Sequence, residues 1–283
     1  MYARAIAEPQ TGSAATYAQF RAAVARAQIV AWLPSAPGAT LIDISGPGAN
    51  AADLAFGAGH NVLRVIPPMA VDSAGQIPGA SPQPAAIRPV LDQPVPSQPA
   101  PDQLPPDRPV PGRQGGGGVR LVIGDECRLE FLADGCADGV IAEDRTLSVN
   151  LAAEALVAEI ARVLKPGGRV LACVDSLMLG MAALAQQSRW PHLMDVPHAD
   201  VVLVPWPDDT ITRCYGAEHL RELFTAGGLE VSWIRPRTVF AQQTVTYLLA
   251  RDPASFPRLV SAELRSRADD SVGDHLVISA TKR

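Results

Sequence analysis

The 283-residue sequence predicts a parallel α/β sheet with helices on both faces, and three observations predict it. First, the apolar run Leu41-Ile-Asp-Ile-Ser-Gly-Pro-Gly48 ends in a glycine turn and opens onto Ala49-Asn-Ala-Ala-Asp-Leu-Ala55. That is the order strand, tight loop, helix. Second, Leu164-Lys-Pro-Gly-Gly-Arg-Val-Leu171 closes an amphipathic stretch and opens another apolar run. Third, strand-like and helical stretches alternate from Thr40 onward, as crossover connections between parallel strands require.

The elements follow in order. Tyr17, Phe20, Val24, Ile29 and Trp32 recur at near-helical spacing, which predicts an amphipathic helix over Thr16 to Trp32 and an N-terminal helical extension over residues 1–36. A strand at Thr40 to Ile44 and a helix after Gly48 come next, the helix stopping at Gly57-Ala-Gly59. His60 to Ile66 is a second strand, apolar enough to be covered on both faces. From Pro67 to about Gly118 prolines, alanines and glutamines dominate and no apolar period persists. Residues 72–118 are therefore expected to be a low-complexity insertion, extended or disordered, in a domain that spans 37–283.

Order resumes with strands at Val119 to Glu126 and Ala137 to Glu143, separated by the turn Ala133-Asp-Gly-Cys136. A helix over Leu151 to Leu164 is expected to turn Leu151, Ala155, Leu156, Ile160, Val163 and Leu164 inward. Arg169 to Val174 reads as a strand and Gln186 to Thr212 as a looser segment. Tyr215 to Gly228 reads as a helix with a glycine stop, followed by a strand at Leu229 to Ile234. Helices near Ala241 to Ala250 and Phe256 to Arg267 precede a last strand, His275 to Thr281.

Composition narrows the function classes. A net charge of −5 and a pI near 5.5 give no general attraction to phosphate backbones or anionic lipid, so neither nucleic acid nor membrane is an expected partner. The start of the chain lacks the apolar core of a secretory signal, and no later apolar run approaches membrane-spanning length, which predicts a cytoplasmic protein. Cys127, Cys136, Cys173 and Cys214 have neither Cys-x-x-Cys spacing nor a nearby histidine at ligand spacing. They are expected to be buried reduced thiols, with no metal bound.

Together these motifs resemble the class I S-adenosylmethionine-dependent methyltransferases over roughly Thr40 to Arg283. The resemblance is carried by Ser45-Gly-Pro-Gly48, by Gly124-Asp125, by Asp134-Gly-Cys-Ala-Asp-Gly-Val-Ile141 and by Ala158-Glu-Ile-Ala-Arg-Val-Leu-Lys-Pro-Gly-Gly-Arg-Val-Leu171. It implies a Rossmann-like sheet of about seven strands and S-adenosyl-L-methionine as cofactor. It also implies that Ser45, Gly46 and Gly48 line the methionine end, with Asp43 among the cofactor residues. Asp125 would accept a hydrogen bond from the adenine amine, with Glu126 beside it, and Glu143 would lie near the cofactor's amino group or the substrate.

Three departures stand against that pattern. When Gly46-Pro-Gly48 is aligned with the family's glycine turn, the preceding acid falls one position out of place. The second strand ends in Val65-Ile66-Pro67-Pro68, where the family has a carboxylate for the ribose hydroxyls. The insertion begins immediately afterwards. The expected activity is methyl transfer to a small molecule.

Two other readings compete with it: a non-catalytic methyltransferase-like protein that meets a protein partner through residues 72–118, and a nicotinamide-dependent oxidoreductase in which Gly46-Pro-Gly-Ala-Asn-Ala51 forms the loop and Arg64 meets a ribose phosphate. His192 and His198 are the weak candidates for a general base, since a histidine titrates near neutral pH. Arg235-Pro-Arg237 reads as a solvated turn, and Glu143-Asp-Arg145 as a charged strand end.

Overall fold

The computed structural model describes residues 11–46, 49–67, 119–125, 127–196, 199–206, 208–265 and 272–283. The expected insertion at 72–118, with its partner role, and Gly48, Glu126 and His198 lie outside them.

Helix α1 (Thr11–Trp32) leads into β1 (Thr40–Asp43), α2 (Ala51–Gly57) and β2 (Asn61–Ile66). β3 (Val119–Ile123), β4 (Ala137–Ala142), the one-turn α3 (Thr146–Val149), α4 (Ala153–Val163) and β5 (Leu164–Ser176) follow. Then come α5 (Leu177–Gln186), α6 (Trp190–Asp195), β6 (Val201–Pro205), β7 (Ile211–Tyr215) and α7 (Ala217–Ala226). β8 (Leu229–Arg237), α8 (Gln242–Arg251), α9 (Phe256–Leu264) and β9 (His275–Lys282) complete the described chain. None of these helices is long and apolar enough to cross a membrane.

The strands form one sheet. β3, β2, β1, β4 and β5 run parallel in that order, β9 lies antiparallel beside β5, and β8 pairs with β9. Because β1 is central, its neighbours Leu41 and Ile42 are both buried, on opposite faces. Ile42, Val140, Leu156, Ile160 and Phe224 fill one face, while Leu41, Ala52, Ile141, Leu171 and Trp32 fill the other. The chain reverses direction across the sheet between β1 and β4. Ligands of open α/β sheets bind at such a switch point, outside the carboxyl ends of the strands.

Several sequence expectations need correction. The segment read as loose between Gln186 and Thr212 holds two further strand segments, β6 and the start of β7, which pair antiparallel, so the described sheet has nine strands rather than about seven. Tyr215 does not begin a helix. It ends β7, is fully buried, and donates its hydroxyl to the carbonyl of Leu147 at 3.2 Å. Leu151 is half exposed and Ala155 exposed, because α4 begins only at Ala153 and its inward stripe runs through Ala153, Leu156, Val157, Ile160 and Val163. The stretch Lys165-Pro-Gly-Gly168, expected as a turn before a strand at Arg169, lies inside β5 as an irregularity in its pairing with β4, with Gly167 at φ +78°, a conformation that suits a residue without Cβ.

α1 lacks the single apolar stripe expected of it and divides its apolar side chains between two cores. Phe20 and Val24 pack against Val245, Leu249 and Leu259 of α8 and α9, while Ile29 and Trp32 join the sheet's own core. The alanines between them face the carboxyl edge of the sheet.

Candidate functional site

Asp43 closes β1 and organises the loop that follows. Its carboxylate is fully buried and accepts the backbone N–H of Ser45 and that of Ala52, both at 3.0 Å, so it ties the strand end to the first turn of α2. Burial pushes this carboxyl up, against the pull of those bonds and of Arg64, whose Nε lies 4.0 Å away. Arg64 also donates to the carbonyl of Ala49, so it leans over the loop from β2. Ser45 accepts the N–H of Glu143 on its hydroxyl, which stitches the ends of β1 and β4 together. Thr146 adds to that seam from the far side, lying 2.8 Å from the Glu143 carbonyl and 3.1 Å from that of Ile44.

The chain leaves β4 through a strained corner. Asp144 and Arg145 take φ values of +59° and +66°, a left-handed pair that side chains other than glycine adopt only when their surroundings hold them there. The neighbours show how. Arg145 grips the fully buried Asp175 with Nε and Nη2, both at 2.7 Å, and its guanidinium lies over the ring of Trp206. Asp144 packs on Gly46 so closely that a Cβ there would stand 2.6 Å from Oδ2.

Glu143 precedes this corner and is 4% exposed. Arg237, at the end of β8, meets it with Nη1 at 2.6 Å and Nη2 at 2.9 Å, and spends Nε on Gln28 of α1 at 2.5 Å. Arg237 is itself 7% exposed, which overturns its reading as part of a solvated turn. The physical reason is the pairing: a buried carboxylate without a cation would be far too costly, and the chain supplies one from 94 residues away.

These groups border a cavity of about 810 Å³ at the carboxyl edge of the sheet. α1 lines one side with Ala18, Arg21, Ala22, Ala25, Arg26 and Ile29; the loop and first turn of α2 supply another with Ala49, Asn50, Asp53 and Leu54. The floor consists of Glu143, Asp144, Arg145, Cys173, Arg237 and His275. Its volume suits a small molecule. Burial pushes the Cys173 thiol up to about 12, so it stays protonated and weakly nucleophilic.

His275 escaped the sequence reading because nothing around it in the chain marks it out. It opens β9, lies across from Asp175 in the β5 pairing, and points its Nδ1 at the Thr238 hydroxyl at 3.2 Å, with Nε2 3.7 Å from Asp175 Oδ1. Burial, then the cations Arg21, Arg237 and Arg145, lower it to about 3, so the ring is neutral at pH 7. The folded value lies below the unfolded one, so the unfolded chain binds the extra proton and stability falls as pH drops from 6.5 toward about 3. By about pH 5 this group removes roughly 2 kcal/mol. Urea unfolding across that range should show the loss in the wild type and not in His275→Gln; equal pH slopes would refute it.

The sequence candidates are distributed as follows. Gly46 lies against Asp144 and is not itself in the lining, whereas Glu143 is in the lining with both its carboxylate oxygens engaged by Arg237. Asp43 and Ser45 are behind the lining, as braces of the loop. Asp125 stands exposed beyond β3 and accepts the Cys127 N–H at 2.9 Å. His192 is on an exposed part of α6 and is not in the lining. Of the cysteines, Cys173 and Cys214 are buried, while Cys127 and Cys136 are only half-buried.

The parallel sheet in the order above, with β8 and β9 as an antiparallel ending and a glycine loop at the switch point, is the class I S-adenosylmethionine-dependent methyltransferase fold. A model of the methyltransferase domain family matches residues 104–172, which include β3, β4, α4 and the first part of β5. A S-adenosylmethionine-dependent methyltransferase from Mesorhizobium loti superposes with a TM-score of 0.51 at 13% identity, over 90% of this chain and 96% of that one. A SAM-dependent methyltransferase from Methanosarcina mazei superposes with a TM-score of 0.50 at 14% identity, over 90% and 96% respectively. No curated protein matches the chain.

Proposed function

We propose that the chain is a S-adenosylmethionine-dependent methyltransferase whose acceptor is a small molecule held beneath α1. The observation that carries this reading is the cavity, bounded by the β1–α2 loop on one side and by a helix on another, with room for a small molecule. The fit of the cofactor rests on the loop: Gly46, without a Cβ, lets the Asp144 side chain pack against the turn after β1, and Asp43 holds that loop against α2. Gly46 and Asp144 would border the methionine end, and Asp125 would take the adenine amine. The cofactor supplies a methyl group on a sulfonium centre. The chain's own part is to orient the acceptor and exclude water, the terms through which positioning lowers a displacement barrier. Cys173, kept protonated, does not compete for the methyl group.

Isothermal titration with S-adenosylmethionine and S-adenosylhomocysteine tests this directly. Binding at micromolar level is the expected result. No heat and no thermal shift at millimolar cofactor would sink it.

A further inference from the structure

Among the four arginines that line the cavity, two are already committed. Arg237 engages Glu143 and Gln28 with all three of its nitrogens, and Arg145 holds Asp175 with Nε and Nη2, leaving Nη1 outside the pair. Arg21 and Arg26 differ. Both project from the cavity side of α1, both are exposed, and neither has a hydrogen-bond or ion-pair partner among the described residues. Asp274 lies in the field of Arg21 without bridging it.

Beside them on α1 the wall is small and apolar, with Ala18, Ala22, Ala25 and Ile29, while α2 across from them brings the polar Asn50 and Asp53 along with Leu54. An unpaired guanidinium on such a wall is a recognition element for an anionic oxygen group, because the neighbouring alanines leave space for the ligand. Arg21, Arg237 and Arg145 all act on the same buried imidazole, His275, which places their fields over one end of the cavity.

Resting on the reading that this cavity holds the methyl acceptor, we propose that the acceptor is a small, largely apolar molecule bearing a carboxylate or phosphate group, and that Arg21 and Arg26 bind that group. Glu143 and Asp175 are each neutralised by their own arginine, and the other carboxylates of the lining, Asp53 and Asp144, belong to α2 and to the corner after β4 rather than to the α1 wall.

Four probes of one size, benzoate, phenyl phosphate, benzamide and benzylamine, test this by ligand-observed NMR on the full chain without cofactor. The expected result is that an anionic probe binds about tenfold more tightly than benzamide, the equivalent of one charge-assisted hydrogen bond. Benzoate against phenyl phosphate identifies which oxyanion is preferred. In the double variant Arg21→Gln/Arg26→Gln the anion preference should disappear while benzamide affinity is unchanged; because both side chains are exposed, the fold should be retained, and Arg21→Lys should restore part of the preference. Equal affinities for all four probes, tighter binding of benzylamine, no binding by any of them, or an anion preference that survives in the double variant would each overturn the proposal. The cofactor titration is a separate measurement, so failure of the methyltransferase reading and failure of the anion reading are told apart.

Discussion

Replacing Arg237 by Met is expected to lower the free energy of unfolding by about 3–5 kcal/mol, because it leaves the Glu143 carboxylate buried without its cation. Urea denaturation at neutral pH reads the loss, and thermal unfolding should drop by roughly 10 °C for a chain of this size. The same substitution frees Gln28, which Arg237 holds at 2.5 Å, so α1 should loosen over the cavity. Glu143→Gln should be nearly as damaging, since it strands the guanidinium instead. The double variant Glu143→Leu/Arg237→Met removes both charges and should recover most of the stability, as apolar replacements of buried pairs commonly do. A single Arg237→Met that unfolds within about 1 kcal/mol of the wild type would refute the account.

Gly46→Ala should both destabilise the chain and weaken cofactor binding. Its new Cβ would meet Asp144 at 2.6 Å from Oδ2 and 3.2 Å from Cβ and Cγ, so rotating the carboxylate alone does not relieve the contact. Asp144 cannot retreat easily, because its backbone is fixed in the left-handed region between Glu143 and Arg145, both of which are ion-paired. Overpacking of this kind costs about 1–3 kcal/mol. Cofactor affinity, read by titration calorimetry, should fall by about two- to tenfold if half of that strain is expressed in the loop. Asp144→Gly removes the blocking side chain and also suits a φ of +59°, so the double variant Gly46→Ala/Asp144→Gly should be more stable than the sum of the two singles. Strict additivity would show that the two residues do not meet.

Most of the sheet was legible in the sequence. The strands at Thr40, His60, Val119, Ala137, Leu229 and His275 emerge within a few residues of their expected limits, because each carries an apolar run bounded by a turn signal, whereas β5 begins at Leu164, ahead of the expected Arg169. β6 and β7 were not legible. Val201 to Pro205 is short and half-exposed, and its partner Ile211 to Tyr215 merges in sequence with the helix that follows, so neither has a period of its own. The register of α4 was misread for a related reason, since Leu151 is apolar but sits in the turn before the helix begins.

The candidate site was legible only where function is written in adjacent residues. Ser45-Gly46 and Glu143-Asp144-Arg145 are local signals, and both lie at the switch point. Arg237 looked like a turn residue beside Pro236, and Arg21 and His275 had no local mark at all.

What the sequence by itself determined is the fold and the place of its ligand edge: periodicity sets which residues are strands and helices, and glycine marks where backbone must come close. What only the tertiary structure decided is the charge state of that edge. Glu143 with Arg237, Asp175 with Arg145, and His275 beneath Arg21 are brought together from distant parts of the chain. Whether a charged residue is solvated, paired or left available depends on the groups that fold against it, and that is a property of distances in space rather than of spacing along the chain.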